Sequence, residues 1–152
     1  LISQPKQYTA VVRLGTTTTT FDADGDIMSE EVVRIGAAEI ESILPNFIGC
    51  IEQVPPIYSA IKIGGERAYK LARSGKTVKM SPRSVRIDKL AIVDYCSPDI
   101  TLEISCSSGT YVRSLAHDLG ESIGCGAHLL CLRRDVVGPF SLHQSYRLED
   151  ID

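Results

Sequence analysis

Residues 106–124, CSSGTYVRSLAHDLGESIG, lead from the end of a strand through a glycine hinge at Gly109 into an amphipathic helix, and this stretch constrains the fold most tightly. Val112, Leu115, Ala116, Leu119 and Ile123 recur at the three- and four-residue steps that make one apolar stripe, and Gly124 supplies the stop. The first turn also carries a cation, Arg113. Exposed N–H groups make that end of a helix partially positive, so an arginine there is unfavourable by up to about 1 kcal/mol unless something compensates. Arg113 therefore requires an acidic partner from elsewhere in the chain.

The flanking segments predict a sheet for the helix to pack on. KQYTAVVRLG alternates, with Tyr8, Ala10, Val12 and Leu14 on one face and Thr9, Val11 and Arg13 on the other, and reads as a strand ending at Gly15. TTTTTFDADGD, which begins with the low-complexity run Thr16 to Thr20, reads as a loop. AAEIESILPNFIG predicts a short helix through Ile40, Ile43 and Leu44, ended near Pro45 because proline cannot continue a helix interior. CIEQVPPIYSAIKIGGERA reads as extended chain with a Gly-Gly turn, and AYKLARSG as a two-turn helix capped by Gly75. SVRIDKLAIVDY and DITLEISC are two further strands, AHLLCLRRDVVGPFSL a last strand with a break, and LEDID the start of a helix. At 152 residues, 43% hydrophobic and 23% charged, the chain is one domain's worth, and the expected class is α+β, a mixed or antiparallel sheet with flanking helices.

Five cysteines, odd in number and without a C-x-x-C pair, together with no apolar run near the ~20 residues needed to span a bilayer, point to a reducing, cytoplasmic compartment and no membrane. The net charge of −3 is unevenly spread. Between Lys62 and Lys89 nine basic residues face only Glu66 and Asp88, a local surplus of seven that leaves the rest of the chain at −10. A basic arm on an acidic body is the electrostatic footprint of polyanion binding, because phosphate contacts depend on local rather than total charge; a merely solvated basic face is the alternative.

Three other constellations carry the side chains of a reactive or metal site without its pattern. Reading Thr20 as the first position of TFDADGDIMSEE places Asp22, Asp24, Gly25 and Glu31 as in a calcium loop, but the first carboxylate is missing and a strand precedes it, so an Asp-Gly turn is expected. Cys125, His128 and Cys131, with Cys106 as an imagined fourth ligand, lack the paired knuckles of a structural zinc site and read as buried free cysteines, with no metal. Ser107, His117 and Asp118 have triad chemistry without a G-x-S-x-G elbow.

KQYTAVVRLG, FDADG, VPPIYSAIKIGGERAYKLARSG, CSSGTYVRSLAHDLG and GAHLLCLRR, in that order and at fitting separations, resemble the bacterial TruB-type tRNA pseudouridine-55 synthases across nearly the whole chain. The resemblance implies a pseudouridine synthase fold and an enzyme that isomerises a T-loop uridine, position 55, of tRNA to pseudouridine without cofactor or metal. It also implies roles. Arg113 matches the arginine that pairs with the catalytic aspartate, and Asp22 a second acid in the same network. Tyr8 matches the tyrosine that stacks on the target base and is placed to take the proton lost late in the reaction, while Tyr111 and Leu132 resemble residues lining the pocket. Residues from Pro56 to about Ser84 match a mobile arm that closes over the T-loop, with Arg67, Lys70 and Arg73 as phosphate contacts and Tyr69 nearby.

The family's nucleophilic aspartate lies in a G-x-L-D-x-x-A-x-G segment upstream of the KQY strand, and these 152 residues, which begin at Leu1, hold no such segment. The expectation is the carboxy-terminal part of a catalytic domain, residues 1–152, cut before a small RNA-binding domain, monomeric when complete, with the missing amino-terminal segment and the tRNA T-arm as partners. The rival expectation is a non-catalytic RNA-binding module that has lost the nucleophile, and a calcium- or metal-binding structural domain is the remaining one.

Overall fold

The computed structural model describes residues 5–56, 62–63, 66–67, 81–137 and 143–147. Alternation in the first strand is realised directly: β1, Lys6–Leu14, buries Tyr8, Ala10, Val12 and Leu14, as a strand packed on one face must. After it come β2, Thr16–Thr18, β3, Ile27–Glu30, α1, Ala37–Ile43, and a 3-10 turn over Leu44–Phe47 with Pro45 at its start. The chain continues through β4, Gly49–Gln53, β5, Lys62–Ile63, and β6, Glu66–Arg67. Two long strands follow, β7, Arg83–Cys96, and β8, Asp99–Cys106; then α2, Val112–Ile123, β9, Ala127–Val137, and β10, His143–Arg147.

Six strands form one sheet in the order β10-β9-β1-β8-β7-β4, and every neighbouring pair is antiparallel. Register puts Ala10 between Leu102 and Leu132, and Val12 between Ile100 and Leu129, so a single apolar face is built from strands distant in sequence. α2 lies across that face, its stripe of Leu115, Ala116 and Leu119 buried against it, and Ile40 of α1 completes the cluster. Each fully buried leucine or isoleucine here contributes about 1.5–3 kcal/mol. The opposite face is polar: the Arg13 guanidinium donates to both carboxylate oxygens of Asp99 at 2.8 and 2.9 Å, and Lys89 reaches Glu103 at 2.8 Å.

Contacts near both ends fix α2 lengthwise. Gly120 faces the backbone of 126–127 so closely that a Cβ would lie 2.2 Å from the Ala127 nitrogen, and no residue with a side chain fits there. At the other end Gln53, 1% exposed, takes the Tyr111 N–H on its Oε1 at 2.9 Å and donates Nε2 to the Tyr111 carbonyl at 3.1 Å. Ser114 Oγ donates to the Val54 carbonyl at 2.7 Å. The C-terminus closes on Gly124 in the left-handed conformation, φ +102°, as its position after the stripe requires.

The structure corrects two of the sequence expectations. Thr16–Thr18 are not loop: they pair with Ile27–Glu30 as a hairpin whose tip is 19–26. β-branched threonines suit an extended strand even where no alternation announces one. Cys131 is exposed rather than buried, because it sits opposite Val11 on the face that the helices leave uncovered; Cys125 is half-buried and Cys106 buried. The expected helix at AYKLARSG, the Gly-Gly turn at 64–65, the break after Val137 and the start of the LEDID helix lie outside the described residues. Among those described, no helix is long and apolar enough to cross a membrane.

Candidate functional site

The β2–β3 hairpin carries Asp22 to the first turn of α2. Arg113 Nη1 lies 3.5 Å from Asp22 Oδ2 and donates to the Thr20 carbonyl at 3.4 Å. Both side chains are about three-quarters covered, at 24% and 23% exposure. The cation in the amino-terminal turn thus has an acid, supplied across 91 residues of chain.

Asp22 is held from several sides. Its Oδ1 accepts the Thr20 hydroxyl at 2.5 Å and the Asp24 N–H at 3.0 Å, and its backbone carbonyl accepts the Thr18 hydroxyl at 2.6 Å. The threonine run, featureless as sequence, is therefore part of the acid's cradle. Beyond Asp22, a single parallel bridge ties the hairpin tip to Leu129 of β9, and the Leu129 N–H donates to the Phe21 carbonyl at 2.8 Å. At the hairpin base His128 Nδ1 lies 2.7 Å from the Thr16 carbonyl. His128 is thereby accounted for as a buried polar side chain with a backbone partner.

Phe21 stands at φ +67° and stacks on His117 with ring centroids 3.9 Å apart and planes 10° from parallel. A bulky residue in that region costs on the order of 1–3 kcal/mol and persists only where its surroundings hold it. His117 is thus engaged with Phe21, while Ser107 Oγ accepts the Arg86 N–H at 3.0 Å, so two of the three triad-like residues are occupied elsewhere. Burial pushes the Asp118 carboxyl up, an effect opposed by His117 and reinforced by Glu121.

Tyr8 and Leu132 share the helix-covered face. Tyr8, 6% exposed, lies between Ile104 and Arg134, and half-buried Leu132 lies opposite Ala10. The rung where Asp22 joins the sheet, Leu129 opposite Val12, is four residues along β1 from Tyr8, about 13 Å by strand rise. Tyr111 is the residue before α2, half-buried and gripped through its backbone by Gln53. Arg67 falls in β6, where only the backbone is described, and Lys70 and Arg73 lie outside the described residues.

Gln53 is the positioning residue that sequence reasoning missed, since a glutamine ending a strand gives no sign of burial. Gln53→Leu in the full-length protein is expected to cost about 2 kcal/mol, the penalty for stranding the buried Tyr111 N–H. Denaturant unfolding measures it as a lower midpoint at unchanged slope. An unchanged midpoint would show that the Tyr111 amide has another partner.

The antiparallel sheet with a helix laid across it is that of the pseudouridine synthases. A solved structure described as a Cbf5-Nop10-Gar1 complex superimposes with a TM-score of 0.61 at 26% identity, over 90% of this chain and 31% of that one. A second, an H/ACA RNP bound to a substrate RNA containing 2'-deoxyuridine, gives 0.57 at 21% identity over 90% of this chain and 29% of that one, a likeness of fold alone. The family model for the TruB family pseudouridylate synthase, N terminal domain, matches residues 1–112, and that for the tRNA pseudouridylate synthase B C-terminal domain matches 113–152. The chain belongs to the TruB family of pseudouridylate synthases. It is 49% identical to tRNA pseudouridine synthase B of Pseudomonas aeruginosa and 47% identical to that of Burkholderia mallei, in each case over all 152 residues and 50% of the relative. The chain thus spans about half the length of the curated relatives it matches.

Proposed function

We propose that this chain forms part of an enzyme that isomerises uridine 55 in the T-loop of tRNA to pseudouridine in the cytoplasm, monomeric when complete and without cofactor. One observation carries the reading: in a chain that matches the TruB family end to end, Arg113 meets Asp22 at the start of α2. The reaction breaks the bond from C1′ to N1, turns the uracil and joins C5 to the sugar, with an aspartate carboxylate attacking or assisting. An arginine beside that carboxylate keeps it ionised and fixes its rotamer.

In this reading Arg113 is shared between Asp22 and a nucleophilic aspartate supplied by a segment outside these 152 residues. Tyr8 stacks on the extruded uracil and stands to take its C5 proton, Tyr111 and Leu132 wall the pocket, and the arm at 56–84 holds the T-loop through Arg67, Lys70 and Arg73.

Tritium release from tRNA labelled at uracil C5, by the full-length protein, tests the activity; release is expected with uridine at position 55 and not with cytidine there. No release from either would overturn the isomerase reading. Replacing Arg67, Lys70 and Arg73 together by alanine should flatten the plot of log K against log salt by about 0.7–0.9 for each phosphate no longer neutralised. An unchanged slope returns the basic stretch to a solvated face.

A further inference from the structure

Phe21 and His117 lie outside the residues assigned to the uridine site, yet their contact bears on it. Among the described residues Phe21 is the non-glycine residue with positive φ, +67°, and it immediately precedes Asp22. Side chains of consecutive extended residues point to opposite sides. Here both reach α2, the Phe21 ring on His117 and the Asp22 carboxylate on Arg113, an arrangement that the left-handed backbone at Phe21 permits. Arg113 and His117 are four residues apart, hence on one face of the helix. Two adjacent side chains of the hairpin tip therefore dock on two successive turns of α2.

We propose that the Phe21–His117 stack is the positioning device that holds this backbone and so delivers Asp22 to Arg113. The proposal rests on the reading of Asp22 and Arg113 as part of the uridine site. The Thr20 hydroxyl, the Asp24 N–H and the Leu129 N–H on the Phe21 carbonyl also hold this tip, but without the ring contact less opposes the strain at φ +67°, and relaxation of residue 21 shifts the Asp22 carboxylate from the guanidinium. The stack acts through ring faces, so a phenylalanine at 117 preserves it where alanine does not.

The test uses the full-length enzyme with Phe21→Ala, His117→Ala, the double variant and His117→Phe, read by single-turnover pseudouridine formation and tRNA affinity. Each alanine variant is expected to lose roughly ten- to a hundredfold in rate with affinity unchanged, the scale for misplacing a reacting group by an ångström. The double variant should be no slower than the slower single one, and His117→Phe should restore the rate. Should the alanine variants fail to fold, Phe21→Gly, which adopts positive φ without strain, removes the ring while leaving the backbone accessible and is expected to be slower than wild type by less than about tenfold, whereas a wild-type rate overturns the role of the ring. A wild-type rate in His117→Ala, or a His117→Phe rate as low as that of His117→Ala, overturns the proposal. Asp22→Asn in the same assay separates the two readings: if it too is as fast as wild type, the site assignment itself fails, whereas a slow Asp22→Asn beside fast Phe21 and His117 variants overturns the positioning role alone.

Discussion

The 152-residue chain assayed by itself is expected to release no tritium from C5-labelled tRNA, and release should return when a separately made amino-terminal piece with its aspartate is added. The reason is chemical. Opening the glycosidic bond needs a carboxylate at the sugar or base, and the acid this chain brings to Arg113 is already committed: Asp22 accepts from Thr20 and from the Asp24 amide and sits beside the guanidinium. Positioning groups alone do not replace the group that opens the bond. Within the described sheet β4 pairs on one side only, with β7, and an unpaired edge is a template for another chain. Chain alone, piece alone and the two mixed form the comparison. Turnover by the chain alone, with mass spectrometry excluding a co-purified peptide, would mean that the nucleophile lies among these residues and that the site is not divided between two segments.

Arg113→Lys in the full-length enzyme is expected to lower the single-turnover rate roughly a hundredfold or more while tRNA affinity stays nearly intact, because misplacing a catalytic carboxylate costs rate on that scale. Lysine keeps the charge and loses the planar fork. The fork matters at this position. One guanidinium nitrogen lies between the Thr20 carbonyl at 3.4 Å and Asp22 Oδ2 at 3.5 Å, and in the proposed function a second carboxylate meets the same plane. A single ammonium on a flexible stem holds no such pair of directions. The ion pair itself contributes little to stability, about 0.2–1 kcal/mol for partly exposed partners, so the loss should appear in rate and not in the unfolding midpoint. A wild-type single-turnover rate would remove Arg113 from the chemistry.

The elements with strong period were legible. β1, β7, β8 and α2 stand close to where alternation and the apolar stripe placed them, because each buries one face and leaves the other in or near water. The need of Arg113 for an acid was legible too, from the polarity of a helix terminus alone, and Asp22 supplies it. What escaped reading depends on contacts distant in sequence. The threonines of β2 show no alternation since their partner is a short exposed strand, and nothing in a run of identical residues says that Thr18 and Thr20 turn back on Asp22. Gln53 is buried by its bonds to Tyr111, a residue 58 positions away, and Phe21 finds His117 only once the hairpin has been laid on α2. β10, in the residues between the strand read to Leu142 and the LEDID helix, has no alternation of its own and is defined by pairing with β9.

The double anchoring of α2 has a mechanical consequence. Contact at Gly120 and the grip of Gln53 on Tyr111 and of Ser114 on Val54 near the opposite end make the helix a beam clamped at both ends, with about 9–14 Å between the clamps. A clamped beam neither slides nor swings. The hairpin tip, in contrast, is held through side contacts, and among the described residues these include the bridge to Leu129, the Phe21–His117 stack, the Arg113–Asp22 pair and the Arg113 bond to the Thr20 carbonyl. Arg113, carried on the clamped helix, is therefore the fixed datum from which the position of Asp22 is set.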